Sequence, residues 1–431
     1  MNIFWFRRDL RLDDNAGLYH ALKQGKPVIP VFILDTNILD DLEDKDDARV
    51  NFICGALSEL NEQLIKFNSS LHVYHGDPET VFKDIVTKFQ VEKVFTNGDY
   101  ETYATERDNT IRNLLAQKGI TFHSYKDHVI FEKNEVVKDD GSPYVVFTPY
   151  SRKWKFLLND FYLRAYPTEK YFNNFYRCSP LVVPSIESIG FSESRITIPG
   201  KEVGDVIFKN YKNARDYPGE QGTSRIGIHL RFGTLSIRQL ARQVRETSEA
   251  YLNELIWRDF YQMVLFEFPH VGRGAAFKKE YDQIEWRNNE DEFLLWCKGE
   301  TGYPLVDAGM RQLNATGFMH NRVRMVTASF LTKHLLIDWR WGEAYFARFL
   351  LDYDFASNNG GWQWAAGSGC DASPYFRIFN PTAQAKKFDP ELKYINKWVP
   401  EINSFQYPAP IVAHEFARER CLSVYSKGLK K

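Results

Sequence analysis

A change of periodicity near residue 205 constrains this chain more than any other feature. Over the first 130 residues, short apolar runs alternate with stretches whose apolar positions recur every three or four residues. The runs at 2–7, 27–35, 71–75, 93–97 and 120–125 read as buried strands. Between the second and third, Ile53, Leu57, Leu60, Leu64 and Phe67 mark the apolar stripe of one helix. Strands alternating with helices predict a parallel sheet covered on both faces. No G-x-G-x-x-G and no Walker lysine loop accompany them, so this region lacks the usual dinucleotide pattern. A hairpin signal, Asp139-Asp140-Gly141-Ser142, precedes the apolar run 145–147, after which 155–205 loses periodicity and collects Pro180, Pro184 and Pro199. Beyond 205 the strand signal disappears and helices dominate. The expected organisation is an α/β domain over 1–130, an interdomain connection over 131–204 and an all-α domain over 205–431.

Composition narrows the function classes. A formal net charge of −1 excludes a uniformly basic nucleic-acid coat but leaves a local basic groove open. Five scattered cysteines without a C-x-x-C pair fit reduced thiols in a cytoplasmic protein, nucleoid-associated in a bacterium. There is no signal-peptide pattern and no run of 18 apolar residues, so no membrane role is expected. Ten dispersed histidines without ligand spacing predict no metal. Eight of the ten tryptophans fall between Trp257 and Trp398, a concentration that either a dense helical core or a ligand site explains.

Four segments carry candidate chemistry. In Gly222-Thr223-Ser224-Arg225-Ile226-Gly227, Thr223 or Ser224 is expected to cap a helix through His229 and Phe232. The free N–H groups, the hydroxyls and Arg225 would then form an anion site. On a helix over 253–268, Glu254, Trp257, Arg258 and Tyr261 share one face. They suit a ligand lined by aromatic area, and equally a buried Trp257 beside a Glu254–Arg258 ion pair. The segment from Gly317 to Met325 starts a cationic helix on which Asn321 and Met325 share a face. Amide and thioether suit a flat heterocycle, and Arg322 a phosphate; a solvated basic helix end is the alternative. The run 352–364 joins two aspartates, paired asparagines, paired glycines and two tryptophans, a poor helix or strand that a bound ligand explains better.

These motifs, with Phe6-Arg7-Arg8-Asp9-Leu10-Arg11 and Tyr375-Phe376-Arg377-Ile378-Phe379-Asn380-Pro381 near the two ends, are long and specific. Together the chain resembles the photolyase/cryptochrome family, and within it the class I cyclobutane-pyrimidine-dimer photolyases. The resemblance implies a nucleotide-binding-like α/β domain and a helical domain holding one non-covalent FAD. Tyr211, Thr223, Ser224, Arg225, Ile226 and Gly227 match FAD-binding positions, with Gly227 replacing a common serine and so removing one hydroxyl. Asp352, Tyr353 and Asp354 match contacts to the isoalloxazine, with Arg324 placed to pair with Asp352, and Asn358 matches the position facing flavin N5. Trp362, Trp339 and Trp286 match a chain that photoreduces the flavin from the surface.

The implied reaction is light-driven electron transfer from reduced FAD to a flipped-out dimer in UV-damaged DNA, with return of the electron after ring splitting. In that scheme Glu254 stabilises the dimer anion, while Trp257, Trp364 and Met325 pack it. Asn321, Arg322, Arg258, Tyr261 and Gln384 hold base or backbone, and Arg215 matches a DNA contact. No obligate protein partner is implied, and a monomer is expected. A signalling cryptochrome is disfavoured by Asn358, and a 6-4 photoproduct enzyme by Asn321 and Met325 where histidine is wanted. A nucleotidyl enzyme built on the first domain lacks its H-x-G-H and S-G-G-x-D-S signatures. The antenna pigment stays open: YETYATERD at 100–108 and Arg273 depart from the folate pattern, leaving a deazaflavin, a second flavin or none.

Overall fold

The computed structural model describes residues 1–430. The five apolar runs form five parallel strands: β1 (Asn2–Phe6), β2 (Val28–Asp35), β3 (His72–Gly76), β4 (Lys93–Asn97) and β5 (Thr121–Tyr125). Their order is β3-β2-β1-β4-β5. Central β1 and β2 are buried at every position, as a parallel strand with both faces covered must be. Successive residues feed opposite cores. Ile3 and Trp5 pack with Val81, Phe82, Ile85, Ile111 and Leu115 of two helices. Phe4 and Phe6 pack with Leu57, Leu60 and Leu64 of the Ala48–Ile65 helix.

The chain divides into two compact units. The sheet unit comprises Met1–Glu132, Leu158–Lys201 and Ile226–Gln243; the helical unit comprises Lys133–Leu157, Glu202–Arg225 and the chain from Val244 onward. The stretch 131–204 is therefore shared between them. Its first part forms the hairpin at Gly141 and the Phe147–Leu157 helix, whose buried Trp154 donates to Asp259 at 2.9 Å. Its second part runs along the sheet unit, where the buried Thr168 hydroxyl donates to the Leu12 carbonyl at 2.7 Å.

Where the strand order reverses, at the ends of β1 and β4, the sheet unit supplies its own polar filling. Asn97 accepts from the Gly17 N–H and donates to the Asn15 side chain, both at 2.8 Å. A buried charge network lies beside it. Arg238 reaches Asp14 at 2.9 Å and Asp127 at 2.8 Å, and Arg11 reaches the other Asp127 oxygen at 2.7 Å. Burial alone would raise the Asp127 pKa, but the two guanidinium groups outweigh it and hold the carboxyl at about 2.

In the helical unit, starts are written in short polar residues. Asp338 caps Trp339–Phe349, Asp354 caps Phe355–Ala366 and Asn380 caps Pro381–Phe388. Their core is built on Trp296, Leu313, Val326, Phe330, Phe346 and Trp362. The Asn321–Ser329 helix continues into a widened π turn over Phe330–His334.

Candidate functional site

Ser248 caps the Glu249–Glu267 helix, and Glu254, Trp257, Arg258 and Tyr261 lie half-buried along it. Glu254 does not take the i,i+4 partner. It pairs with Arg215, the residue closing the Asp205–Ala214 helix. Burial raises the Glu254 pKa above the usual carboxylate range, and Arg215 lowers it only in part. The Trp257 ring is covered by Phe147, with centroids 3.6 Å apart and planes 3° from parallel. Tyr261 follows at 5.4 Å and 29°. The Tyr261 ring leaves no room for a Cβ at Gly360, so the glycine lets the Phe355–Ala366 helix approach closely.

The turn before residue 227 differs from the expectation. Neither Thr223 nor Ser224 caps a helix: Gly227–Arg231 starts behind Ile226 without a side-chain cap. Arg225 has φ of 56°, a left-handed step that turns the chain between the hydroxyl residues and the helix. Ser224 instead hydrogen-bonds the Tyr251 hydroxyl at 2.7 Å. Ile226 and Gly227 belong to the sheet unit, whereas Tyr211 and Thr223–Arg225 belong to the helical one. Gly222 is required where it stands, since a Cβ would lie 2.6 Å from the Ala214 carbonyl oxygen. Tyr211 packs edge-on against Tyr251 at 4.9 Å, and Arg225 lies over Phe318 at 4.8 Å.

The expected helix start at Gly317 also moves. Gly317, with φ of 64°, closes the Pro304–Thr316 helix, and Asn321–Ser329 begins behind His320. The His320 ring accepts from the Arg322 N–H at 3.2 Å. Burial lowers its pKa to about 4, which keeps a lone pair available for this cap at neutral pH. Arg324 grips Asp352 through one nitrogen at 2.9 and 3.0 Å. Arg322 is paired as well, with Asp216 at 2.7 Å and the Phe388 ring at 4.3 Å. Asn321 is exposed and Met325 half-buried, with its sulfur 3.9 Å from Arg322.

The 352–364 run is helical after all, from Phe355 onward. The physical reason is Asp354, whose carboxylate accepts from the Ser357 N–H at 3.2 Å and offsets the weak intrinsic propensity of Asn and Gly. Buried Gln262 donates to the same carboxylate at 3.2 Å. Asn358 donates to the Glu343 side chain at 2.9 Å and backbone at 3.1 Å, leaving its carbonyl end the one without a bond to Glu343. Trp362 and Trp339 are buried and Trp286 half-buried. Trp362 packs on Phe346 at 4.9 Å, Arg340 lies over Trp339 at 4.7 Å, and Trp286 meets Tyr425 at 6.0 Å. Trp364 lies 6.4 Å from Phe379, and half-buried Gln384 keeps a buried carbonyl oxygen without a partner. Tyr353 packs against the tryptophan-rich core.

Comparison with known proteins matches residues 2–168 to the DNA photolyase domain and 251–406 to the FAD binding domain of DNA photolyase. A deoxyribodipyrimidine photo-lyase of Halobacterium salinarum is 37% identical, covering 99% of each chain. The chain belongs to the DNA photolyase family. It is thus an enzyme of the photo-lyase kind, and FAD is its cofactor. Two solved photolyases share the whole fold. A bacterial class III photolyase from Agrobacterium tumefaciens has TM-score 0.88 at 33% identity, covering 100% of this chain and 98% of its own. The archaeal photolyase from Sulfolobus tokodaii, solved with two FAD molecules, has TM-score 0.86 at 36%, covering 99% and 100%.

The helical unit's groups fit a flavin dinucleotide. A hydroxyl and guanidinium turn suits the phosphates, while the Arg324–Asp352 pair and the Asn358 amide suit a polar heterocycle. The same helices also bury Ser329 Oγ and Trp362 Nε1 without a protein partner, which leaves both atoms open to a bound group. Sequence reasoning missed Phe147, Asp216, Gln262, Phe318 and Glu343, which hold the expected residues in place. Phe147 and Phe318 lie inside stretches the sequence marks, the run 145–147 and the segment from Gly317, but nothing local names them as partners. Among the described residues no His, Cys, Asp or Glu cluster could hold a metal, and no helix is long and apolar enough to cross a membrane.

Proposed function

We propose that this photolyase repairs cyclobutane pyrimidine dimers in DNA under light, by electron transfer to a flipped-out dimer. The observation that carries the reading is Glu254, a carboxyl of raised pKa on one helix face with Trp257 and Tyr261. FAD, when bound, supplies the light-excited electron donor. Glu254, as a carboxylic acid, donates to a pyrimidine carbonyl and stabilises negative charge that develops there. Trp257, Trp364 and Met325 pack the dimer, while Asn321, Arg258, Tyr261 and Gln384 hold its edges or the strand. Arg215 and Arg322 reach phosphates by trading Glu254 and Asp216 for the backbone. Tyr211 and Thr223 to Arg225 hold FAD, as do Arg324, Asp352, Tyr353 and Asp354. Asn358, fixed by Glu343, presents its carbonyl to the flavin, and Trp286, Trp339 and Trp362 return electrons to the site when it has become oxidised.

The class I reading is carried by the C-terminal motifs, and the sheet unit is assigned the antenna role, with the pigment's identity open. A cryptochrome-type receptor or a 6-4 photoproduct enzyme is the alternative. The test is a purified, reduced protein given oligonucleotides with a cyclobutane dimer or a 6-4 photoproduct, in light and in darkness. Loss of cyclobutane dimers in light alone is expected. No repair of either lesion would leave the receptor reading, and repair of the 6-4 lesion alone would replace the substrate. Glu254→Ala should lower repair per absorbed photon far more than dimer affinity; the reverse pattern would make Glu254 a plain recognition group.

A further inference from the structure

Phe147 is not a core residue, yet its ring and its backbone both have partners. Its flanks, Val145 and Val146, are 38% and 42% exposed, and the ring itself is half-buried. Two consecutive residues from a distant loop secure this short stretch. The Cys370 thiol donates to the Val145 carbonyl at 3.1 Å, and the Asp371 carboxylate accepts from the Phe147 N–H at 3.1 Å. Asp371 stands at φ of 51°, a left-handed conformation that disfavours a side-chain residue. The bond it makes satisfies one of the open N–H groups at the start of the Phe147–Leu157 helix. Ring and backbone are thereby fixed together, and the ring lies flat on Trp257 at 3.6 Å and 3°.

We propose that Phe147, anchored by Asp371, is a positioning residue for the lesion: it occupies one face of Trp257 and leaves the indole a single orientation and a single face for a base. The proposal rests on the reading that Trp257 stacks on the dimer. An indole free to turn could meet a base on either face, at an entropic cost on binding that a clamped ring has met in advance. Cys370 serves as the second pin rather than as a nucleophile, since burial pushes its thiol up to about 12.

The test measures dimer-oligonucleotide affinity, FAD content and photoreduction for four variants of the full chain. Trp257→Ala should weaken dimer binding about 5- to 150-fold. Phe147→Ala should weaken it about 2- to 12-fold, with FAD content and photoreduction retained, and Phe147→Tyr should restore it. Asp371→Asn, which keeps an acceptor, should bind like the parent and reports on the pin without removing a ring. Parent-like affinity in Phe147→Ala beside a weakened Trp257→Ala would overturn this inference and leave the lesion-stacking reading standing. Parent-like affinity in Trp257→Ala would remove both. Loss of FAD in Phe147→Ala that Phe147→Tyr fails to restore would make the ring a structural support and overturn the positioning role.

Discussion

The arginines of the two units are used in opposite ways. In the sheet unit, Arg11 and Arg238 have side chains only 5% exposed and direct donors to Asp14, Asp127 and backbone carbonyls, although Arg11 Nε has no partner. In the helical unit, the Arg215–Glu254, Arg322–Asp216 and Arg324–Asp352 pairs keep side chains between 18% and 37% exposed. A charge network buried this deep is out of reach of a ligand and is costly to break. A half-exposed pair is worth little to stability and can exchange its partner for a phosphate or a heterocycle. Under the proposed function, the difference separates charges that hold a fold from charges open to a ligand.

The largest effect should come from breaking the buried network. Arg238→Met, by stranding Asp14 and part of Asp127, should cost about 3–5 kcal/mol in urea unfolding. A loss under about 1 kcal/mol, comparable with an exposed pair, would erase the contrast. The same network has a pH signature. Asp127 is held at about 2 against about 3.9 in an unfolded chain, so its contribution is complete above the unfolded value and disappears as pH falls towards 2. Arg238→Met should flatten that acid limb.

On the helical side, the roles proposed for Trp286 and Trp257 can be separated. Trp286→Phe should abolish photoreduction of oxidised enzyme yet leave repair intact after chemical reduction, while Trp257→Ala should lose about 1–3 kcal/mol of dimer binding with photoreduction preserved. Were pre-reduced Trp286→Phe unable to repair, its role as a relay would be wrong. Glu254 gives a smaller, pH-read effect. Its raised pKa keeps the acid form to higher pH than a free glutamate, so repair yield should decline as pH rises through that value. Arg215→Met removes the lowering charge and should move the decline to higher pH; an unmoved profile would dissociate the pair from the chemistry. The smallest effect is expected at the rim. Arg322→Ala should reduce the log–log salt dependence of DNA binding by about 0.9 if the residue meets a phosphate, and the parent slope in that variant would assign it to Asp216 alone.

Much of this was legible in the residue order because the signals are local. The five strands stand within a residue or two of their apolar runs, and the stripe from Ile53 to Phe67 is carried by the Ala48–Ile65 helix and its end. Glu254, Trp257, Arg258 and Tyr261 fall along one helix as their spacing requires, and Arg324 meets Asp352. The failures are equally local in origin. Composition argued against a helix over 352–364, but one cap at Asp354 and the close approach at Gly360 outweighed it. Thr223 and Ser224 are good caps in a helix start, yet the left-handed Arg225 sent them elsewhere.

The sequence by itself determined the periodicities, hence the sheet, the helices and the faces on which the candidate site residues fall, because these depend on neighbours three or four positions apart. Only the tertiary structure decided the partners: Arg215 rather than Arg258 for Glu254, Glu343 for Asn358, Gln262 for Asp354 and Phe147 for Trp257. Those pairs join positions 15 to 110 residues apart in the chain. Their choice depends on how helices pack and what packing leaves buried, which no local pattern encodes.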